Sequence, residues 1–130
     1  MIAIALLLAT APPLTLQVGS IDWAALPALP YRAQPAVTTS MSQFAAREAR
    51  ARRCPLPIAR GPTQRLTVEL AVLVTGEGDV RTVIPRAIQC ATVEQYAAGL
   101  AAGFARNNLL PRSAAADQWY KTSLTFSWRK

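Results

Sequence analysis

From Leu66 to Val74 the chain sets Leu66, Val68, Leu70, Val72 and Val74 at every second position, with Thr67, Glu69, Ala71 and Leu73 between them. A period of two places the first set on one face of a β-strand. Gly76-Glu77-Gly78-Asp79 follows, and β-branched residues resume at Val80, Thr82, Val83 and Ile84. Strand, glycine-rich turn and strand predict a β-hairpin. A lone hairpin is marginal in water, so its apolar face requires a cover from elsewhere in the chain.

Two helices and a third strand supply that cover. Val93, Tyr96, Ala97, Leu100 and Phe104 share a narrow arc of a helix running to about Asn107, with Thr92 and Gln95 as its capping box. Gly99 and Gly103 lower its helix propensity, and the spacing suggests close approach of helix to sheet as the compensation. Tyr120, Thr122, Leu124, Phe126 and Trp128 alternate with Lys121, Ser123, Thr125 and Ser127, a strand over residues 118–128. A shorter helix is expected over residues 40–53, capped by Ser40 and Gln43, with Met41, Phe44, Ala45 and Ala49 on its apolar face. The expectation is an α+β domain over residues 40–130, core 65–128, in the order α-β-β-α-β. Its three-stranded antiparallel sheet takes the order 2-1-3, with helices on one face and with Val80–Ile84 and Tyr120–Trp128 at the edges.

The front of the chain is different. Ten prolines are present, and all but Pro85 and Pro111 precede Arg65. Residues 1–20 open with an uncharged apolar run, MIAIALLLATA, the length of a signal-peptide core. Ala9-Thr10-Ala11 and Val18-Gly19-Ser20 are both candidate cleavage sites. A retained membrane anchor is the alternative, although Pro12-Pro13 breaks the run short of the ~20 apolar residues a spanning helix needs. Residues 21–39 form a proline-rich stretch, either an extended linker or a belt over the domain, in which Trp23 and Tyr31 are candidate anchors.

Chemistry-bearing residues are sparse. Histidine is absent, which removes the commonest general base and metal ligand together, and the seven acidic residues are scattered. No partnered nucleophile can be assembled, so we expect neither an enzyme nor a cofactor or metal site. The net charge of +7 is mostly arginine, and the one dense cluster is Arg47, Arg50, Arg52 and Arg53. Without interleaved aromatics, a nucleic-acid interface is disfavoured against a solvated basic face; contact with anionic lipid through these four residues is the other alternative. In an exported chain Cys54 and Cys90 are expected to form a disulfide, the alternative being two small buried hydrophobes.

The segments LTVELAVLVTGEGDVRTVIP, TVEQYAAGLAAGFARNNLLP and QWYKTSLTFSW together resemble the C-terminal domain of the TonB family of periplasmic energy transducers. Gly78 matches the turn glycine, Phe104 and Pro111 the helix end, and Phe126 and Trp128 the closing strand. The similarity spans Arg65 to Trp128. Full transducers also carry a membrane helix with a coupling histidine and a long spacer, which this chain does not show. The resemblance implies a periplasmic, non-enzymatic binding module engaging an envelope protein such as a TonB-dependent outer-membrane transporter. An extended peptide of that partner would add to the last strand, along Tyr120, Lys121, Thr122, Ser123, Leu124, Thr125 and Phe126. An edge covered by the proline-rich front, a homodimer formed through the same edge, a stand-alone structural or regulatory domain, and an adaptor or inhibitor binding through Leu73, Val83 and Trp119 on the outer sheet face, a patch that residues 23–35 would otherwise bury, are the alternatives.

Overall fold

In a computed structural model describing residues 20–112 and 116–130, the elements fall in the expected order. They are α1 (Thr39–Ala51), β1 (Thr63–Val74), β2 (Val80–Pro85), α2 (Ala91–Ala105) and β3 (Gln118–Arg129). The apolar leader up to Gly19 lies outside the described residues. β1 is central and pairs antiparallel on both sides, giving the order β2-β1-β3. Its register with β3 is unbroken from Thr63 opposite Arg129 to Val74 opposite Gln118.

The hairpin turn needs only one left-handed residue, Gly78 at φ 90°; Gly76 does not use that freedom. Thr75 closes the turn, its carbonyl accepting from Gly78 N at 3.0 Å and its hydroxyl from Asp79 N at 3.1 Å. Just beyond, Leu73 faces Thr82 while Val74 faces Val80, so Arg81 is the extra residue of a β-bulge.

The even-numbered residues of β1 form the floor of the core. Leu66, Val68 and Leu70 pack with Leu124 and Phe126 of β3 beneath Ala45 and Ala49 of α1 and Val93, Ala97 and Ala101 of α2. Alanine at the helix contacts brings both backbones near the sheet. The glycines do not serve that purpose: Gly99 and Gly103 are exposed, and a Cβ at either would meet nothing within 4 Å. Tyr96, Leu100 and Phe104 flank this alanine face, Tyr96 lying between Phe44 at 4.3 Å and Phe126 at 6.0 Å.

Both helix starts differ from the expected capping boxes. α1 begins two residues earlier, with Thr38 as the cap: Thr38 Oγ1 accepts from Met41 N at 3.3 Å and Met41 Sδ accepts from Thr38 N at 3.4 Å. At α2 the cap is Cys90, whose side chain is committed to the disulfide; Glu94 reaches back to accept from Cys90 N at 3.0 Å and Ile88 N at 3.2 Å. At α1 several hydroxyls compete for the helix start, whereas at α2 the one nearby hydroxyl, Thr92, is passed over for Cys90. The expected disulfide, Cys54–Cys90, closes a 36-residue separation. In the chain-entropy picture such a loop contributes about 4 kcal/mol.

Residues 20–38 lie on the domain as a belt. A 3-10 turn at Trp23–Ala25 places the Trp23 ring 5.5 Å from the Arg86 guanidinium, which is salt-bridged to Glu69 on the outer sheet face. The chain then reaches β3, where Lys121 N donates to Pro27 O and Leu29 N donates to Lys121 O, both at 2.8 Å, a parallel bridge. Between these two anchors the belt crosses the outer face, which explains why Ala71, pointing outward from β1, is fully buried. Leu29 and Tyr31 then turn under the helix side and join Val72, Val74, Ala105 and Tyr120 in a second buried cluster. Asn108 fastens the belt where it leaves, its side chain bonded to both the N–H and the carbonyl of Ala33.

Candidate strand-addition edge

Strand alternation and two hydrogen bonds fix which backbone groups of β3 face outward. Lys121 spends both its amide and its carbonyl on the belt, so it points away from β1. Residues two apart on a strand share that orientation, so Trp119, Ser123, Thr125 and Ser127 also present N–H and C=O groups on the outer flank. The Ser127 amide is taken by Ser42 Oγ of α1 at 3.0 Å. Between these two plugs, the amides and carbonyls of Ser123 and Thr125 have no partner among the described residues, and both residues are exposed.

The seven residues marked by the sequence thus divide into three groups. Ser123 and Thr125 form the open window. Lys121 is occupied by Pro27 and Leu29. Tyr120, Thr122, Leu124 and Phe126 direct their backbone groups to β1, and Tyr120, Leu124 and Phe126 bury their side chains in the core. These even positions hold the strand in place; they do not offer hydrogen bonds to a visitor.

The opposite edge is constructed differently. Arg86 N donates to Glu69 O at 2.8 Å, which turns Arg86 and Ile84 toward β1 and leaves Pro85 pointing outward without an N–H. A short strand, the bulge at Arg81 and an outward proline are the usual devices that stop a sheet edge from accepting another chain. Of the two edges, only β3 presents consecutive outward residues with both donor and acceptor free.

The outer-face patch of Leu73, Val83 and Trp119, one of the alternatives, does not assemble. Val83 lies opposite Val72, so its side chain points to the helix side, where it packs against the core. The bulge explains the error: an extra residue at Arg81 inverts the side-chain alternation between the turn and Val83. The arginine cluster also divides. Arg52 is ion-paired with Glu48 at 3.7 Å, whereas Arg47 and Arg50 line a groove of about 400 Å³ between α1 and the end of β3. Arg129 and Trp128, which the sequence reading did not connect with the cluster, complete that groove. Sequence spacing could pair Arg47 with Arg50, one helical turn apart; it gave no sign of Arg129.

Among the described residues no three His, Cys, Asp or Glu side chains gather to hold a metal, and no helix is long and apolar enough to cross a membrane. No protein-family model, curated protein or solved structure matches this chain.

Proposed function

We propose that this protein is an exported, non-enzymatic binding module of the TonB C-terminal type. It captures an extended segment of an envelope partner by strand addition at the β3 flank, in energy-coupled transport across the outer membrane. The observation that carries this reading is the pair of outward residues Ser123 and Thr125, each with a free amide and carbonyl, on the one edge that lacks a proline or a bulge. The Cys54–Cys90 bridge supports an oxidising compartment such as the periplasm. The N-terminal peptide of a TonB-dependent transporter, added to the isotope-labelled full chain, should shift the amides of Ser123 and Thr125. Unchanged amides at saturating peptide would overturn the reading.

The belt at Lys121 favours a second reading, a stand-alone envelope domain that closes its own edge. Under it the same titration leaves the Ser123 and Thr125 amides unshifted, whichever peptide is used.

A further inference from the structure

A window of two residues offers a visitor four backbone hydrogen bonds. Each replaces a hydrogen bond to water and is modest in net terms, so four of them do not by themselves offset the cost of bringing two molecules together. Side-chain contacts next to the window must therefore supply the remainder. Ser127 lies about 7 Å along the strand from Thr125 and forms one wall of the groove that holds Arg47, Arg50 and Arg129 around Trp128.

Most arginines of the chain have no carboxylate partner among the described residues, and what distinguishes these three is that they line one groove together. Arg52, Arg81 and Arg86 each have a carboxylate within salt-bridge distance, whereas Arg47, Arg50 and Arg129 have none among the described residues. Arg47 is steadied instead by the Phe44 ring, 6.0 Å from its guanidinium carbon. Like charges lining one groove repel, a cost that a bound anion reverses. Guanidinium forks match carboxylates in particular, and the Trp128 side chain provides a partly buried apolar wall beside them.

We infer that the groove of Arg47, Arg50, Arg129 and Trp128 is an acid-recognition subsite, which takes carboxylate side chains of the same extended peptide whose backbone pairs with Ser123 and Thr125. The inference rests on the strand-addition reading and adds the chemistry of the partner: an extended segment with acidic residues immediately beside its pairing stretch. The net charge of +7 then assists encounter with such a segment as well as its retention.

The test uses the full chain and a synthetic peptide of alternating Thr and Val with two glutamates at one end. The glutamates are placed N-terminal in one version and C-terminal in another, and each has a Gln-Gln counterpart. The acidic peptide in one of the two orientations should bind about tenfold or more tighter than its glutamine form, the scale of a charge-assisted hydrogen bond. The advantage should shrink with added salt and vanish in the triple variant Arg47→Gln, Arg50→Gln, Arg129→Gln. It should survive in Arg106→Gln, which removes a charge outside the groove. The triple variant should keep its thermal midpoint or raise it, because no ion pair is lost.

Equal affinity for the acidic and neutral peptides, or a preference that persists in the triple variant, overturns the subsite. If equal affinity comes with shifted Ser123 and Thr125 amides, strand addition survives and only the acid subsite falls. If no peptide shifts those amides, both fall. Loss of binding to anionic lipid vesicles in the triple variant, without any peptide preference in the parent chain, assigns the arginines to a membrane surface and overturns the proposal. A lowered midpoint with unchanged peptide preference assigns them to the fold, with the same result.

Discussion

The Leu29 amide donates to the Lys121 carbonyl at 2.8 Å, so β3 already carries a piece of its own chain on the flank where a partner strand would lie. Leu29 is also one of the buried members of the cluster beneath that contact. Backbone pairing and side-chain burial therefore act on the same residue, and the belt belongs to the domain's stability as much as to its surface.

Truncating that side chain should loosen the belt. Leu29→Ala is expected to cost about 2–3 kcal/mol, the lower part of the range for a buried leucine, because the site is near the surface and can relax. Urea unfolding measures the loss. Hydrogen exchange at the Lys121 amide should accelerate more than at Phe126, whose amide faces β1. Equal acceleration at both would mean that the belt and sheet open together.

The Cys54–Cys90 bridge ties the end of α1 to the cap of α2. Reduction, or Cys54→Ser with Cys90→Ser, should lower unfolding free energy by up to about 4 kcal/mol, the loop-entropy figure for this separation. Paired denaturation curves with and without reductant give the difference. A change below ~1 kcal/mol would show that helix packing alone holds the two ends together.

Gly99 and Gly103 are exposed in the interior of α2 with open space where a Cβ would stand. Gly99→Ala and Gly103→Ala should each stabilise the fold by about 0.4–1 kcal/mol, because alanine has less freedom to lose on folding and collides with nothing. The thermal midpoint should rise for each single variant, nearly additively for the pair.

Burial raises the pKa of Tyr31 above 10.0, opposed by the Thr122 hydroxyl, which donates to its oxygen at 3.2 Å. A raised folded-state value means the fold favours the neutral phenol. The resulting stabilisation is complete below 10.0 and is lost as pH climbs through the raised value. Urea midpoints measured from about pH 8 to about pH 11 should fall at the alkaline end. Tyr31→Phe should flatten that part of the slope, and an unchanged slope would show that other groups control it.

The architecture was legible because period and punctuation agree along the C-terminal half. Alternation at Leu66–Val74 and at Tyr120–Trp128 can be satisfied only by strands with one buried face, and the Gly78 turn fixes the hairpin between them. Helix starts were less legible. Thr38, Ser40, Thr92 and Cys90 all lie near a helix beginning, and local chemistry does not rank them once a disulfide or a methionine sulfur enters the choice. Val83 was assigned to the wrong face because one bulged residue at Arg81 shifts the alternation, and no local pattern marks that insertion.

The sequence by itself determined the strands, the helices, their order, the antiparallel sheet that follows from it, and the absence of histidine chemistry. Each of these depends on residues close together in the chain or on composition. Only the tertiary structure decided where the belt lies, which of the seven β3 residues keep free hydrogen-bonding groups, and that Arg129 and Trp128 join Arg47 and Arg50. Those facts join positions some sixty or more residues apart, such as Trp23 with Arg86, Leu29 with Lys121 and Ser42 with Ser127. Contacts over that separation are fixed by the packed core that brings them together, and leave no periodicity in the sequence to read.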